Sequence, residues 1–190
     1  VQLMQSAIMG SVYAREMLGL ERPRVGVLSN GAEEIKGTDL TREALGLCRR
    51  LELNFLGFVE GHDLFADQVD VVVTDGFVGN IVLKSCEALG LAVIALLKTE
   101  LTANPLRRLG ALLSASGLRA MKRRMDPQTY GGAPMLGLNG VVFKVHGSAR
   151  AQAVQNAVLQ VTRALRLRVN EAIVREIEAA RERTGSVQAA

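Results

Sequence analysis

Residues 69–85, VDVVVTDGFVGNIVLKS, hold the side chains and glycines best suited to bind an anion. A run of valines leads into Asp75 and Gly76, and Gly79 and Asn80 then precede a helical pattern. Glycines let a ligand approach the backbone, and the N–H groups at a helix start attract anions. The sequence therefore predicts a cradle for phosphate or an acyl oxygen at this turn, with an ordinary strand-to-helix turn as the alternative.

Two further side chains suit the same chemistry. Lys36 lies in a polar loop after a short strand, where it either provides a point charge for an anion or is solvated. His146, followed by Gly147 and Ser148, is a candidate general base or hydrogen-bond donor, with a structural role as the alternative. Two histidines and two separated cysteines predict no metal site. The motifs of nucleotide-phosphate loops and of the serine-hydrolase elbow are absent from the sequence.

Strands that alternate with helices position these residues. Strands are predicted at 24–28, 55–59, 69–73 and 141–145. A helix at 1–18 should end at Gly19, and Thr38 or Asp39 should cap the next one. This order predicts an α/β fold with a doubly wound sheet.

The end of the chain predicts one long helix. Ser148 is its expected N-cap, the tail after residue 185 should fray, and the apolar face should consist of Val154, Val158, Val161, Leu165, Ile173 and Ile177. Cys48 and Cys86 are expected to be buried, reduced thiols. Because the chain opens with Val1 and directly on an apolar periodicity, we expect it to be part of a longer protein.

The amino-acid composition limits which classes of protein the chain can belong to. The 190 residues are 48% hydrophobic and 22% charged, which is typical of a globular protein. The net charge is +4, and aromatic residues are 4% of the chain, with no stacking platform, so nucleic-acid binding is not expected. The longest apolar run, 89–97, is about half of what a spanning helix needs, which favours a core or interface helix.

Residues 87–125 predict a projecting helical hairpin, interrupted at Asn104 and Pro105. Its second arm, at 106–125, is amphipathic and strongly basic. Such an arm can lie on an anionic membrane or receive an acidic partner, and a dimer or core helix with a solvated basic face is the alternative. The apolar positions are Leu106, Leu109, Leu112, Leu113, Leu118, Met121 and Met125, and the basic ones are Arg107, Arg108, Arg119, Lys122, Arg123 and Arg124.

Five segments in order resemble the bacterial PlsX family, the acyl-carrier-protein:phosphate acyltransferases of phospholipid synthesis. They are NGAEEIKG at 30–37, NFLGFVEGHDLF at 54–65, DVVVTDGFVGNIVLK at 70–84, YGGAPMLGLNG at 130–140 and VVFKVHGSA at 141–149. The resemblance implies an α/β/α fold related to isocitrate and isopropylmalate dehydrogenases. It also implies a cytoplasmic homodimer whose projecting helices contact the inner face of the cell membrane.

The resemblance implies an enzyme that transfers a fatty acyl group from acyl-carrier protein to orthophosphate, without a cofactor or metal, and supplies acyl phosphate to a downstream acyltransferase. The implied catalytic residues are Asp75, Asn80 and His146, and the implied phosphate- or substrate-binding residues are Lys36, Gly76, Gly79, Gly131 and Gly132. The implied membrane contact comprises Leu106, Leu109, Leu112 and Leu113 with Arg107, Arg108, Lys122 and Arg123.

The resemblance also implies how the chain is divided. Residues 1–86 would form the α/β part of the anion domain, 87–125 the projecting hairpin, and 126–190 a glycine-rich loop, strand and helix that pack on an absent amino-terminal domain. Two residues depart from the family pattern: Val78 replaces the usual Thr, and Ala149 replaces a common second Ser. Two alternatives stay open, a phosphotransacetylase-like enzyme that uses acyl-coenzyme A, and a catalytically incomplete membrane or dimerisation module.

Overall fold

The structure is a computed structural model that describes residues 1–125, 129 and 131–184. The helices are α1 (Gln2–Leu18), α2 (Asp39–Cys48), α3 (Gly76–Thr102), α4 (Pro105–Leu113), α5 (Ala115–Met125), α6 (Ala151–Arg166) and α7 (Val169–Thr184). The strands are β1 (Arg24–Leu28), β2 (Asn54–Val59), β3 (Val71–Val73), β4 (Ala133–Pro134) and β5 (Phe143–Lys144). The chain divides into two compact units. The first contains Val1–Asp75, Pro134–Lys144 and the described chain from Leu159, and the second contains Gly76–Ala133 and Val145–Val158.

The first unit is built on a parallel sheet with the strand order β2-β1-β3, which confirms the predicted α/β class. β1 pairs in parallel with both neighbours, as strands joined by helical crossovers do. Its register against β2 shifts between Val25 and Gly26, next to Gly57, whose φ is 97°. The bulge lets Phe55 and Phe58, three residues apart, both contact the same core.

α1 and α2 cover this sheet with one continuous core. Met4 and Ala7 of α1 pack with Val25 and Val27 of β1 and with Leu45 of α2. Val25 and Val27 are fully buried, which is the burial expected of strands in a parallel sheet. Cys48 belongs to the same core, and burial raises the pKa of its thiol to about 11, so this cysteine is buried as predicted and unreactive.

A second core joins α1 to α7. Val12 and Met17 of α1 contact Ala172 and Ile173 of α7. Phe143 and Leu136, from the segment around β5, pack against the same cluster. α1 therefore has two apolar sides, because one side contacts the sheet core and the other contacts α7.

Local signals explain the boundaries of the elements in the first unit. α1 ends at Gly19, which is left-handed with a φ of 75°, as predicted. Thr38 caps α2, since its hydroxyl accepts from the Thr41 N–H and the Thr41 hydroxyl accepts from the Thr38 N–H in return. The prediction left Thr38 and Asp39 open, and the structure selects Thr38.

The second unit begins with α3, a 27-residue helix without a single buried residue. It starts at Gly76, so the prediction of a turn through Gly79 and Asn80 before the helix is wrong. The predicted interruption at Asn104 and Pro105 is confirmed, because Asn104 Oδ1 accepts from the Arg107 N–H at 2.9 Å and begins α4 there. The predicted single second arm consists of two helices, α4 and α5, separated at Ser114.

The carboxyl-terminal helix also differs from its prediction. α6 begins at Ala151, so Ser148 is not its N-cap, and α6 ends before Arg168, whose φ is 54°. The residues buried on α6 are the alanines Ala153, Ala157 and Ala164, while Val154, Val158 and Leu165 of the predicted apolar face are exposed; on α7, Ile173 of that face is buried as predicted. The predicted helix end at Asp126 and Pro127 and the fraying tail after residue 185 lie outside the described residues.

Other predicted features differ from the structure in strand length or in burial. β3 covers Val71–Val73 and is shorter than the predicted strand 69–73, and only Val73 is fully buried. The predicted strand 141–145 is reduced to the two residues of β5, which pairs with β4. Cys86 is only half-buried, unlike the prediction.

Candidate functional site

The carboxyl edge of the sheet in the first unit is the place where the topology favours a ligand. β1 and β3 are neighbours, but the chain leaves β1 through α2 toward β2, on the other side of β1 from β3. In open parallel sheets a crevice forms where adjacent strands continue in opposite directions, just beyond their carboxyl ends. Lys36 follows β1 and Asp75 follows β3, so both lie in segments at this edge.

The loop after β1 is fixed by its own hydrogen bonds. The Gly37 N–H donates to Asn30 Oδ1 at 2.9 Å, and the Lys36 N–H donates to the Glu33 carbonyl at 2.9 Å. Gly37 has a φ of 80°, and a Cβ there would lie 2.4 Å from Thr41 Oγ1. The position beside Lys36 therefore needs glycine both for its backbone angle and for space, and the loop holds the lysine at a defined place.

Lys36 keeps its charge available. Its stem is half-buried against Gly31, while its ammonium group forms no ion pair with any carboxylate that the structure describes. The nearby acidic residue Glu34 is instead paired with Arg49, whose hydrogen bond lowers the pKa of the Glu34 carboxyl. An ammonium without a carboxylate partner, on a half-buried stem in a hydrogen-bonded loop, is suited to bind an anion.

The predicted cradle begins at the end of β3. Asp75 directly precedes α3, and Gly76 is the first residue of that helix. Gly79 and Asn80 lie in its first turns, with Asn80 exposed. Gly76 and Gly79 do not use the left-handed angles that a glycine turn would require, so they contribute to the positive end of a helix.

Gly131 makes its close approach to a helix of its own unit. Its φ is 85°, and a Cβ would lie 2.5 Å from the Ala157 backbone nitrogen and 2.6 Å from the Asn156 carbonyl carbon. Asn156 Nδ2 also donates to the Thr129 carbonyl at 3.1 Å, which ties this segment to α6. Gly131 therefore has a packing role, and Gly132 next to it is half-buried.

His146 lies in a tight turn of the second unit that also contains a serine. The Ala149 N–H donates to the His146 carbonyl at 2.9 Å and closes a four-residue turn. Within it, Ser148 Oγ lies 2.8 Å from His146 Nδ1, and the Ser148 N–H donates to the same nitrogen at 3.2 Å. Sequence reasoning gave Ser148 only a capping role. The spacing of a histidine and a serine two residues apart around a glycine was the signal for this contact.

The predicted site residues are distributed between the two units. Lys36 and Asp75 belong to the first, and Gly76, Gly79, Asn80, Gly131, Gly132 and His146 belong to the second. Within the first unit, Lys36 and Asp75 share the carboxyl edge of one sheet. Within the second, Gly76, Gly79 and Asn80 share the start of α3, while Gly131 packs on α6 and His146 lies in its own turn.

The predicted membrane-contact residues are exposed on α4 and α5. Leu106, Leu109, Leu112 and Leu113 are between 56% and 81% exposed. Two of the cations are partly engaged: Arg107 pairs with Glu100, and Arg108 Nε donates to the Thr102 carbonyl at 3.0 Å. Lys122 and Arg123 are exposed and form no ion pair within the part of the chain that the structure describes.

The described residues contain no group of three histidine, cysteine, aspartate or glutamate side chains that could hold a metal ion. α3 is the one helix, among those described, that is long and apolar enough to cross a membrane, with a mean hydropathy of 1.8. Since none of α3 is buried, it is not a core helix of this chain.

The family model described as fatty acid synthesis protein matches residues 1–172. A phosphate acyltransferase of Syntrophotalea carbinolica is 47% identical over 175 residues, which are 92% of this chain and 50% of the relative. Proteins of the same name from Geotalea daltonii and Campylobacter jejuni are 46% and 44% identical, over 94% and 92% of this chain and 51% and 53% of theirs. The chain thus spans about half the length of the curated relatives it matches.

Proposed function

The chain belongs to the fatty acid synthesis protein family, and we propose that the full-length protein is a phosphate acyltransferase of phospholipid synthesis. The substrates we propose are acyl-carrier protein loaded with a fatty acyl group, and orthophosphate. The observation that carries this proposal is the identity of 44–47% to proteins named phosphate acyltransferase over nearly the whole chain. The parallel sheet with a lysine loop at its carboxyl edge is consistent with an anionic substrate.

The reaction balances with these two substrates alone. A phosphate oxygen attacks the thioester carbonyl carbon, a C–O bond forms, and the C–S bond breaks after a tetrahedral intermediate. The hydrogen of HPO₄²⁻ ends on the carrier thiol, so no cofactor is consumed. The protein has to hold the phosphate charge and to stabilise the oxyanion that develops on the carbonyl oxygen.

We assign phosphate or substrate binding to Lys36, Gly76 and Gly79. The unpaired ammonium of Lys36 supports this assignment, as does the place of both glycines at the positive end of a long helix. Gly131 and Gly132 are assigned to the wall of the substrate site, with Gly131 acting through its contact with α6.

We assign catalysis to Asp75, Asn80 and His146. Asp75 ends the segment after β3, where ligands of parallel sheets bind, and the exposed Asn80 amide is a hydrogen-bond donor near a helix start. His146 is exposed in an ordered turn, so its ring is accessible to a substrate.

The experiment for this function is a product assay on the full-length protein. Acyl phosphate is measured from acyl-carrier protein and, separately, from acyl-coenzyme A, each with orthophosphate. We expect the carrier substrate to support turnover well above the coenzyme. Preference for the coenzyme would favour the phosphotransacetylase alternative, and absence of product from both would favour the non-enzymatic module.

The chain alone should lack this activity. The exposed stripe of Val154, Val158 and Leu165 on α6 is at helical spacing, and we propose that it packs on the part of the full-length protein that this chain does not contain. A site formed with that part cannot be complete without it. Robust turnover by the 190 residues by themselves would show that our proposed site is in the wrong place.

We also propose that α3, α4 and α5 form contact surfaces of a cytoplasmic homodimer that binds the inner face of the membrane peripherally. The exposed leucines of α4 and the exposed cations Lys122 and Arg123 support this. Each cation near an anionic surface contributes about 1 kcal/mol, and this decreases with salt. Arg107 contributes less because Glu100 already neutralises it. Such a location would bring acyl phosphate to a downstream acyltransferase.

Vesicle flotation tests the membrane contact. The variants are Leu109, Leu112, Leu113→Ser and Lys122, Arg123→Glu, and the control is Leu18, Leu56→Ser, two exposed leucines of the first unit. We expect both arm variants to float less than the parent with anionic vesicles, and the control to float like the parent. If the leucine variant floats like the parent, the membrane proposal fails and the leucines belong to the dimer interface. Affinity for carrier protein, measured in parallel, should depend on the cations alone.

A further inference from the structure

The turn that carries His146 determines which ring nitrogen bears the proton. The Ser148 N–H donates to Nδ1 at 3.2 Å, and an imidazole nitrogen can accept an N–H only when it has no hydrogen of its own. Ser148 Oγ lies 2.8 Å from the same Nδ1, so its hydroxyl hydrogen must also point at that nitrogen. The neutral ring therefore carries its hydrogen on Nε2.

This arrangement separates the two possible roles of His146. A general base needs a ring nitrogen with an open lone pair, and the Nδ1 lone pair is already occupied by two donors from Ser148. The remaining nitrogen, Nε2, presents an N–H on an exposed side chain. The ring is thus prepared to donate a hydrogen bond and not to abstract a proton.

We propose that Ser148 is a positioning residue that fixes the Nε2–H tautomer of His146, so that His146 donates to the oxygen that becomes negatively charged during acyl transfer. This proposal rests on the proposed function for its reaction, while the tautomer itself does not depend on that function. The reaction balances without a net proton gain or loss by the protein, so a donor that keeps its proton is compatible with it. A preorganised neutral donor stabilises a developing oxyanion without a proton transfer.

The turn explains why serine is suited to this position. Closure by the Ala149 N–H to the His146 carbonyl brings residue 148 back beside the ring at residue 146. Its backbone N–H then reaches Nδ1, and the short hydroxyl reaches the same atom from the same residue. Replacement of the hydroxyl leaves the backbone donor in place, so the turn keeps one of the two bonds.

The experiment uses the full-length protein with ¹⁵N-labelled histidine. The imidazole nitrogens of His146 are assigned by their loss in His146→Gln, and the tautomer is obtained from their chemical shifts. The variants are Ser148→Ala, which removes the hydroxyl, and Ser148→Thr, which retains one. Ser116→Ala, an exposed serine of α5 in the same unit, is the matched control.

We expect an unprotonated Nδ1 in the parent, in Ser148→Thr and in Ser148→Ala, because the backbone donor is present in all three. The Nδ1 chemical shift of Ser148→Ala should nevertheless move, because the hydroxyl hydrogen bond to that nitrogen is lost. The kcat of Ser148→Ala should fall about 3- to 10-fold with KM unchanged, the size expected for loss of one neutral hydrogen bond. Ser148→Thr should restore kcat, and the control should match the parent. His146→Gln should retain more activity than His146→Ala, because the glutamine amide still offers a donor.

A protonated Nδ1 in the parent would overturn the proposal, as would a Ser148→Ala variant with unchanged shifts. Unchanged kcat in Ser148→Ala despite a changed Nδ1 shift would overturn the link to catalysis. An equal loss of activity in His146→Gln and His146→Ala would overturn the proposal that His146 acts as a hydrogen-bond donor. If the parent makes no acyl phosphate at all, the proposed function fails, and the nitrogen shifts still decide the tautomer claim.

Discussion

α1 and α3 are both apolar helices, yet their surroundings are opposite. α1 buries residues on two sides, against the sheet core and against α7. α3 is ten residues longer, 27 against 17, and is apolar enough to resemble a spanning helix, but none of its residues is buried. This difference shows that the apolar content of a helix indicates the need for a packing partner, but does not indicate where that partner is. The partner of α1 is in this chain, and we propose that the partner of α3 is outside it, as a second copy or a membrane surface.

The largest expected effect is loss of packing around α1. Met4→Ala removes a side chain that is 2% exposed within the sheet core, and should lower the free energy of unfolding by about 2–5 kcal/mol. Leu91→Ala on α3, where the side chain is 70% exposed, should change it by less than about 0.5 kcal/mol. Denaturant unfolding of the 190-residue chain at low concentration measures both. Similar losses in the two variants would show that α3 is covered in solution.

The next effect concerns the ion pair that fastens the first unit. Asp70 accepts the Arg24 backbone N–H at 2.7 Å and receives two guanidinium bonds at 2.9 Å, which ties the start of β1 to the start of β3. The hydrogen bonds from the Arg24 side chain and backbone lower the pKa of Asp70 from 3.8 to about 2. We expect Asp70→Asn to cost about 1.5–3 kcal/mol at pH 7, the range for hydrogen bonds to a charged group.

The pH dependence of this effect has a definite sign. A carboxyl whose folded pKa is lowered stabilises the fold above its unfolded pKa and loses that contribution as pH falls through the folded value. The difference between the parent and Asp70→Asn should therefore be constant above about pH 5 and shrink between about pH 4 and pH 2. Unfolding curves across that range measure it, and a difference that grows toward low pH would contradict the assignment.

The smallest effect is expected on the exposed arm. Glu100→Gln removes the partner of Arg107 at the junction of α3 and α4, where both side chains are more than half exposed. Surface pairs of this kind contribute about 0–1 kcal/mol and are weakened by salt. We expect no measurable change in thermal unfolding at high salt, with flotation on anionic vesicles slightly increased because Arg107 is released. A loss of several degrees would indicate that the arm is part of the packed core.

Where a residue type has one physical solution, the sequence predicted the structure. Gly19 ends α1 because a left-handed angle is needed there. For the start of α2 the sequence left Thr38 and Asp39 as alternatives, and the structure selects Thr38. The valines around Val25 and Val73 predicted buried strands, and both of these side chains are buried. The fold class was predicted from the alternation of strands with helices.

Features that depend on the folded backbone could not be predicted in the same way. Periodicity predicted that Val154, Val158 and Leu165 share a face, but the face of α6 that is buried is formed by alanines, since small side chains allow close approach. Gly79 was interpreted as a turn, although a glycine is also tolerated in a helix start. The contact of Ser148 with His146 depends on the turn between them. The sequence pattern was instead interpreted as a helix N-cap at Ser148.

The site residues were predicted by type and by order, and their roles were carried over from a family resemblance. Lys36 and Asp75 follow adjacent strands, which sequence order alone did not require. The strand order β2-β1-β3 supplies that information, because it makes β1 and β3 neighbours. The roles of Gly76, Asn80 and His146 stay proposals.

The most direct test of the account is acyl-phosphate formation by Asp75→Ala and Asn80→Ala in the full-length protein. Glu178→Ala, an exposed carboxylate of α7 that forms no ion pair with any residue that the structure describes, is the matched control. We predict that Asp75→Ala and Asn80→Ala each lose at least about 100-fold in kcat, as when a preorganised polar group is removed from a reaction site, while both variants remain folded. The control should keep its activity. Near-normal turnover in both variants, with unaltered unfolding, would contradict the claim that the reaction takes place at the carboxyl end of β3.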